Sequence, residues 1–166
     1  MLTNKACTIS DKKINEEAPC ILACPIRQDA RDYVQLVARG RFSEAYRLVR
    51  ERNPLPSACG RICTHPCETK CRRNSTEAPI AIAWLKRFLG DNFSEETRKN
   101  FTEKYPEKIA IIGAGPAGLA AANDLALLGY SCTIFESNPT PGGMLRMGVP
   151  PYRLPRTAID NDVEFI

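Results

Sequence analysis

The sequence predicts a mixed fold: an all-helical unit over residues 1–107, then the opening βαβ part of an α/β domain over 108–166. Three observations point there. Seven of the eight cysteines precede residue 72 and eight of the ten glycines follow residue 89, so the chain changes character near its middle. Short amphipathic stretches bounded by helix caps and stops fill the first part. The second part opens on an apolar run that enters a glycine turn and is followed by a helix and a second apolar run.

In chain order, "DARDYVQLVARG" (29–40) offers Asp29 as N-cap, Tyr33, Leu36 and Val37 as an apolar face, and Gly40 as a stop. "SEAYRLVRERNP" (43–54) offers Ser43 as cap, Ala45, Leu48 and Val49 as a face, and Pro54 beyond the end. A third helix is expected from Pro79 through "IAIAWLKRFL", with Trp84 in its core, because proline suits a first helical turn. Helices this short need a shared core or cofactor to persist. The polar stretch "DNFSEETRKNFTEKYPEK" (91–108) joins the two units.

From 108 the reading is a buried strand, Ile109 to Ile112, then a helix to Leu128 with Gly129 as stop, then a strand from Ser131 to Phe135. Two strands linked through a helix pair in parallel by a right-handed crossover. A loop rich in Gly and Pro follows, and "RTAIDNDVEFI" starts another helix. Cys132, in the second strand, reads as a small core residue.

The turn residues Gly113, Ala114, Gly115, Pro116, Ala117 and Gly118 carry G-x-G-x-x-G between a strand and a helix, with Glu136 at the end of the second strand. Each glycine has a mechanical task. Gly113 permits the tight turn, Gly115 lets a pyrophosphate approach the backbone, and Gly118 lets helix and strand pack closely. The helix N-terminus attracts phosphate, and Glu136 can accept hydrogen bonds from a ribose. The motif points to a Rossmann-like dinucleotide site without choosing between FAD and NAD(P).

"CGRICTHPCETKC" (59–71) sets Cys59, Cys63, Cys67 and Cys71 four residues apart, and "APCILACPI" (18–26) adds Cys20 and Cys24. Pro66 forbids one continuous helix, so two short turns with a break at Thr64–Pro66 are expected. Disulfides, zinc, an iron–sulfur cluster and inert thiols are the alternatives. A cysteine followed by proline, closing C-x3-C, is typical of iron–sulfur runs. Six grouped cysteines exceed the four that zinc takes. No apolar leader or membrane span is evident, so a reducing cytoplasm is the expected setting and disulfides are disfavoured. Arg61, Lys70, Arg72, Arg73, Lys86 and Arg87 flank the thiols and suit an anionic cluster, although Lys86 and Arg87 read equally as solvated surface charges. His65 reads as a hydrogen-bonding residue rather than a ligand. Net charge is +5 over 1–107 (19 Lys/Arg against 14 Asp/Glu) and −1 over 108–166 (4 against 5), too mild for a nucleic-acid protein.

Taken together, "NPLPSACGRICTHPCETKCRR", "APIAIAWLKRF", "IIGAGPAGLAAANDLALLGYSCTIFE" and "PGGMLRMGVPPYRLP" resemble the small (β) subunit family of NADPH-dependent glutamate synthase and the N-terminal region of dihydropyrimidine dehydrogenase, from about residue 18 onward. The resemblance implies a helical ferredoxin-like domain carrying [4Fe–4S] clusters, packed on an FAD domain of the glutathione-reductase type. It implies electron transfer among NADPH or NADH, FAD and the clusters, and on to a partner subunit or domain, without nucleic acid or membrane. Cys20 and Cys71 would serve one cluster, and Cys24, Cys63 and Cys67 the other, with Cys59 able to fill a gap. FAD would lie on the glycine turn with Glu136 on its ribose, touching Gly143, Met144 and Arg153. No catalytic residue is implied within this chain. Two positions depart from the pattern: only Cys7 stands upstream where relatives carry C-x2-C, and Lys86 replaces a Gln or Glu ligand. One cluster is therefore expected and a second left open. The nicotinamide domain and the rest of the FAD domain are expected beyond residue 166, so the sequence reads as a fragment inactive alone. The rival reading is a helical docking module that has lost its clusters or holds a structural metal.

Overall fold

The computed structural model describes residues 17–93 and 102–166; Cys7 lies outside the described residues. Its helical half comprises α1 (Pro19–Ala23), α2 (Ala30–Ala38), α3 (Phe42–Arg50), α4 (Pro56–Ile62), α5 (Pro66–Thr69) and α6 (Ile82–Asn92), with a 3-10 turn at Arg72–Ser75. Proline starts α1, α4 and α5, where a missing N–H costs nothing. Asp29 caps α2 as expected, accepting the backbone N–H of Asp32 at 3.1 Å, and Gly40 follows with φ +72°. Two starts differ from expectation. Helix α3 begins at Phe42 without a side-chain cap, so Ser43 is not its cap; Arg41 and Glu44 pair across the first turn instead. Helix α6 begins at Ile82 rather than Pro79. The Glu68 carboxylate of α5 accepts the Ala83 N–H at 2.8 Å, supplying from another helix the cap that local sequence lacks.

Ala30, Tyr33, Ala45, Tyr46, Val49, Ile82 and Leu89 form the core of this half, and the Tyr33 hydroxyl donates to the Ile82 carbonyl at 3.1 Å. Trp84 does not join it: the residue is 65 % exposed, and its ring lies under the Arg87 guanidinium. The buried face of α6 is Ile82, Lys86 and Leu89, and a residue two positions from Ile82 points away from that stripe.

The second half has the elements expected of it, but its first strand is not buried. Ile109 and Ile111 are half-buried and Ile112 is 83 % exposed, because the second strand is its one strand neighbour among the described residues. Strands β1 (Lys108–Ile112) and β2 (Ser131–Phe135) pair in parallel, Ile109 opposite Cys132 and Ile111 opposite Ile134, with α7 (Pro116–Leu128) between them. Gly129 stops α7 at φ +102°. Cys132 is half-buried. The Gly/Pro loop holds an unforeseen turn of helix, α8 (Met144–Met147), and α9 (Arg156–Phe165) closes the described structure.

The halves share a core. Leu55 and Ala58, from the start of α4, pack with Leu119, Leu145, Leu154, Ala158 and Ile159. Beneath them Asp162 of α9 is fully buried. Its carboxylate accepts Arg50 Nη2 at 3.2 Å, the Ser57 N–H at 3.4 Å and the Ala58 N–H at 3.0 Å. Arg50, also buried, donates to the Tyr46 hydroxyl and the Pro54 carbonyl and lies over the Phe165 ring. The first turn of the helix bearing Cys59 is thus held by a carboxylate from the opposite half.

Candidate functional site

The six clustered cysteines of the helical half are free thiols, each half-buried, carried on or beside α1, α4 and α5. The helix break falls at Cys63–His65, with Pro66 opening α5. His65 adopts φ +43°, which turns its N–H onto Cys63 Sγ at 3.3 Å, while its ring faces Glu68. The bond to sulfur is therefore made by its backbone, not by its imidazole. The thiols act on one another electrostatically in pairs. Burial pushes the Cys20 thiol up, and Cys71 adds to that shift. Burial pushes Cys67 up to about 11, with Cys24 among the neighbours adding to it. Cys59, also raised by burial, sits against Cys63 with the Asn53 amide beside it. Such thiols hold their protons at neutral pH until a metal displaces them.

Among the described residues no three His, Cys, Asp or Glu side chains converge as ligands of a single ion would. A four-iron cluster instead spreads its thiolates over separate irons, and an all-thiol, half-buried donor set suits that group. Among the flanking cations, Arg61 and Arg87 pair with Asp91, and Arg73 with Glu77. Lys86 is different. It is buried rather than a solvated surface charge, and its Nζ lies 3.9 Å from Cys59 Sγ.

In the second half, Gly113 takes φ +95°, and an added Cβ at Gly118 would stand 2.0 Å from the Gly113 carbonyl oxygen. At Gly113 and Gly115 a Cβ would meet nothing within 4 Å, so the backbone there is open to a close approach. Gly143, at φ +49°, stacks on Gly115 so closely that a Cβ would reach its Cα at 2.9 Å. The Gly142 N–H donates to the Ala114 carbonyl at 2.8 Å, joining the second loop to the glycine turn. Such a cradle fits a pyrophosphate at the start of α7. Met144 and Arg153 are exposed on that loop and the turn after it.

Glu136 does more than the sequence suggested. Its carboxylate accepts the Ala114 N–H at 2.7 Å, the Asn138 N–H at 2.8 Å and Asn138 Nδ2 at 2.9 Å. These bonds, that of the Asn138 N–H foremost, hold its pKa down to about 2. Glu136 therefore ties the end of β2 to the glycine turn, and a ribose would have to share an acceptor that is already engaged.

With this geometry in view, residues 5–98 match the family described as dihydropyrimidine dehydrogenase domain II, 4Fe-4S cluster, over more than half of the chain. The chain belongs to that family. Residues 111–155 match the NAD(P)-binding Rossmann-like domain. The chain is 44% identical to the NADPH-Fe(3+) oxidoreductase subunit beta of Geobacter sulfurreducens, across 90% of this chain and 23% of that protein. It is 40% identical to the NADP(+)-dependent formate dehydrogenase subunit beta of Moorella thermoacetica, across 90% of this chain and 24% of that protein. It is also 40% identical to the NAD-dependent dihydropyrimidine dehydrogenase subunit PreT of Salmonella typhimurium, across 89% of this chain and 37% of that protein. The chain thus spans between 23% and 37% of the length of these relatives.

The match over 111–155 makes the glycine turn open to a direct test. Gly118→Ala drives a methyl into the Gly113 carbonyl, and such overpacking costs about 1–3 kcal/mol. The expected result is a lower melting temperature and, in the full-length protein, weaker dinucleotide binding. A variant that melts and binds like the parent would show that α7 and β1 do not need this close approach.

Proposed function

We propose that this chain forms the electron-carrying end of an NAD(P)H-linked iron–sulfur flavoprotein oxidoreductase, with an iron–sulfur unit over 1–107 and the start of an FAD unit from 108. One observation carries the reading. Six free, half-buried thiols are gathered on or beside three short helices, and the helix bearing Cys59 packs directly on the glycine-turn unit. Cys20 and Cys71 would hold one cluster; Cys24, Cys63 and Cys67, completed by Cys59, would hold the other. The electrostatic influence of Cys71 on Cys20 and of Cys24 on Cys67 supports this division.

When bound, a flavin exchanges electrons in pairs with nicotinamide and an iron–sulfur cluster passes them singly. The chain's residues supply position and charge. Gly113, Ala114, Gly115, Pro116, Ala117 and Gly118 would receive the FAD pyrophosphate, and Glu136 the ribose. Gly143, which packs on Gly115, and the exposed Met144 and Arg153 would border the flavin. The shared core of α4 and α9 keeps the two sites in fixed relation. The relatives' names as subunits favour an electron acceptor on a further domain or partner subunit, and free thiols suit a reducing cytoplasm. Among the described residues no helix is long and apolar enough to cross a membrane.

The deciding experiment is iron, acid-labile sulfide and flavin measured together on anaerobically purified full-length protein, since the 166-residue chain alone holds only the start of the FAD site. Iron and sulfide in equal amounts with bound flavin are expected. A colourless protein with zinc or no metal would favour the docking module instead. Glu136→Ala is expected to weaken flavin retention roughly tenfold to a hundredfold, because a charge-assisted acceptor is lost and the turn it ties down loosens. Iron content should stay unchanged in that variant. Loss of iron with flavin retained would mean that Glu136 serves the contact between the halves.

A further inference from the structure

Lys86 is a buried cation that faces sulfur. It is 7 % exposed, in the middle of the apolar stripe Ile82–Lys86–Leu89 on α6. Its Nζ donates toward Cys59 Sγ at 3.9 Å, and its charge also bears on Cys67. One ammonium therefore addresses thiols on two different helices. The neighbouring carboxylates are occupied elsewhere: Glu68 holds the Ala83 N–H and faces His65, and Asp91 pairs with Arg61 and Arg87. An ammonium taken out of water is costly unless an anion compensates it, and the anions its position can reach are thiolates.

The fold is built to bring this charge in. An added Cβ at Gly60 of α4 would meet the Arg87 backbone at 2.8 Å, and one at Gly90 of α6 would meet Ser57 at 3.0 Å. Glycine at both crossing points lets α4 and α6 approach backbone to backbone, next to the Cys59–Lys86 pair. A larger residue at Gly60 would push Lys86 away from the sulfur.

We propose that Lys86 sets the reduction potential of the metal centre that Cys59 and Cys67 help to hold, a role resting on the reading of these cysteines as iron–sulfur ligands. Reduction adds one electron from an outside reductant and makes or breaks no bond at the ligands. The centre becomes one unit more negative, so a fixed positive charge and an N–H···S contact favour the reduced form. Lys86 thereby holds the potential above the value the thiolates alone would give.

The test is a dithionite titration followed by electron paramagnetic resonance on anaerobically purified full-length protein. Lys86→Met keeps the length and removes the charge; Lys86→Arg keeps the charge. The expected result is at least a tenfold loss in the one-electron reduction constant for Lys86→Met, a fall of about 59 mV. Iron and sulfide per chain should be unchanged, and Lys86→Arg should return most of the shift. An unchanged potential in Lys86→Met overturns the proposal. If Lys86→Met loses iron, Lys86→Ala, too short to reach a metal, decides: iron retained at a lowered potential supports it, and loss of iron there too, with Lys86→Arg intact, makes Lys86 an assembly residue and overturns it. A parent protein without iron and acid-labile sulfide would overturn the cluster reading itself, an outcome distinct from each of these.

Discussion

Replacing Asp162 with Ala lowers the stability of this chain by about 3–5 kcal/mol, the usual cost of removing one partner from a buried ion pair. The carboxylate is fully buried, and so is Arg50. Its removal strands the guanidinium and leaves the N–H groups of Ser57 and Ala58 without an acceptor. Because those N–H groups open α4, the disturbance runs into the helix that carries Cys59. Urea denaturation followed by circular dichroism measures the loss, and a change below about 1 kcal/mol would rank Asp162 with ordinary surface positions.

The same residue makes a pH prediction. Burial, the largest influence, raises the Asp162 carboxyl above its ordinary value of 3.8, while Arg50 and the α4 N–H groups pull it back. A carboxyl raised in the folded state contributes stability that is fully present below the unfolded value and lost as pH rises through the folded one. Asn cannot titrate. The parent should therefore lose stability relative to Asp162→Asn as pH climbs from 3.8 upward. Glu136 has the opposite sign. Its pKa is held down to about 2, so its contribution is present above the ordinary value of 4.5 and fades as pH falls toward 2.

Local chemistry was legible in the sequence and tertiary chemistry was not. The β1–α7–β2 unit, the stops at Gly40 and Gly129 and the break in the cysteine row all follow from residues within a few positions of one another. Ser43, Pro79 and Trp84 were misread because the deciding contact came from elsewhere. Arg41 with Glu44 replaces the Ser43 cap, Glu68 reaches across from α5 to start α6, and the Ile82–Leu89 stripe turns Trp84 outward. Lys86 left a signal that could have been used: a lysine four residues after Ile82 and three before Leu89 sits inside an apolar stripe, where a solvated charge does not belong. Gly60 and Gly90, in short helices where glycine is unfavourable, were a second signal, of close helix approach. The tie from Asp162 to α4 spans more than a hundred positions and had no local trace.

Replacing Cys24, Cys63 or Cys67 with Ser, one at a time, should remove the iron of the cluster proposed for these thiols and unfold much of the helical half. The argument is one of size. The described helical half runs only from residue 17 to 93, and a core on that scale rarely supplies more than about 3–5 kcal/mol. Helices α1 and α5 are single turns, too short to persist without something to bind them together. The metal centre proposed for their thiols would add its binding free energy to folding, so its loss should cost an amount comparable with the core itself. The nucleotide half keeps its own packing in Leu119, Leu145, Leu154 and Ile159. Flavin retention should accordingly fall less than iron, and helicity measured by circular dichroism should drop with iron across the three variants. Unchanged iron and unchanged melting in all three would show that these thiols are packing residues. Cys132→Ser is the control: that thiol lies in β2 with its Sγ toward the Tyr130 carbonyl, and its variant should keep its iron.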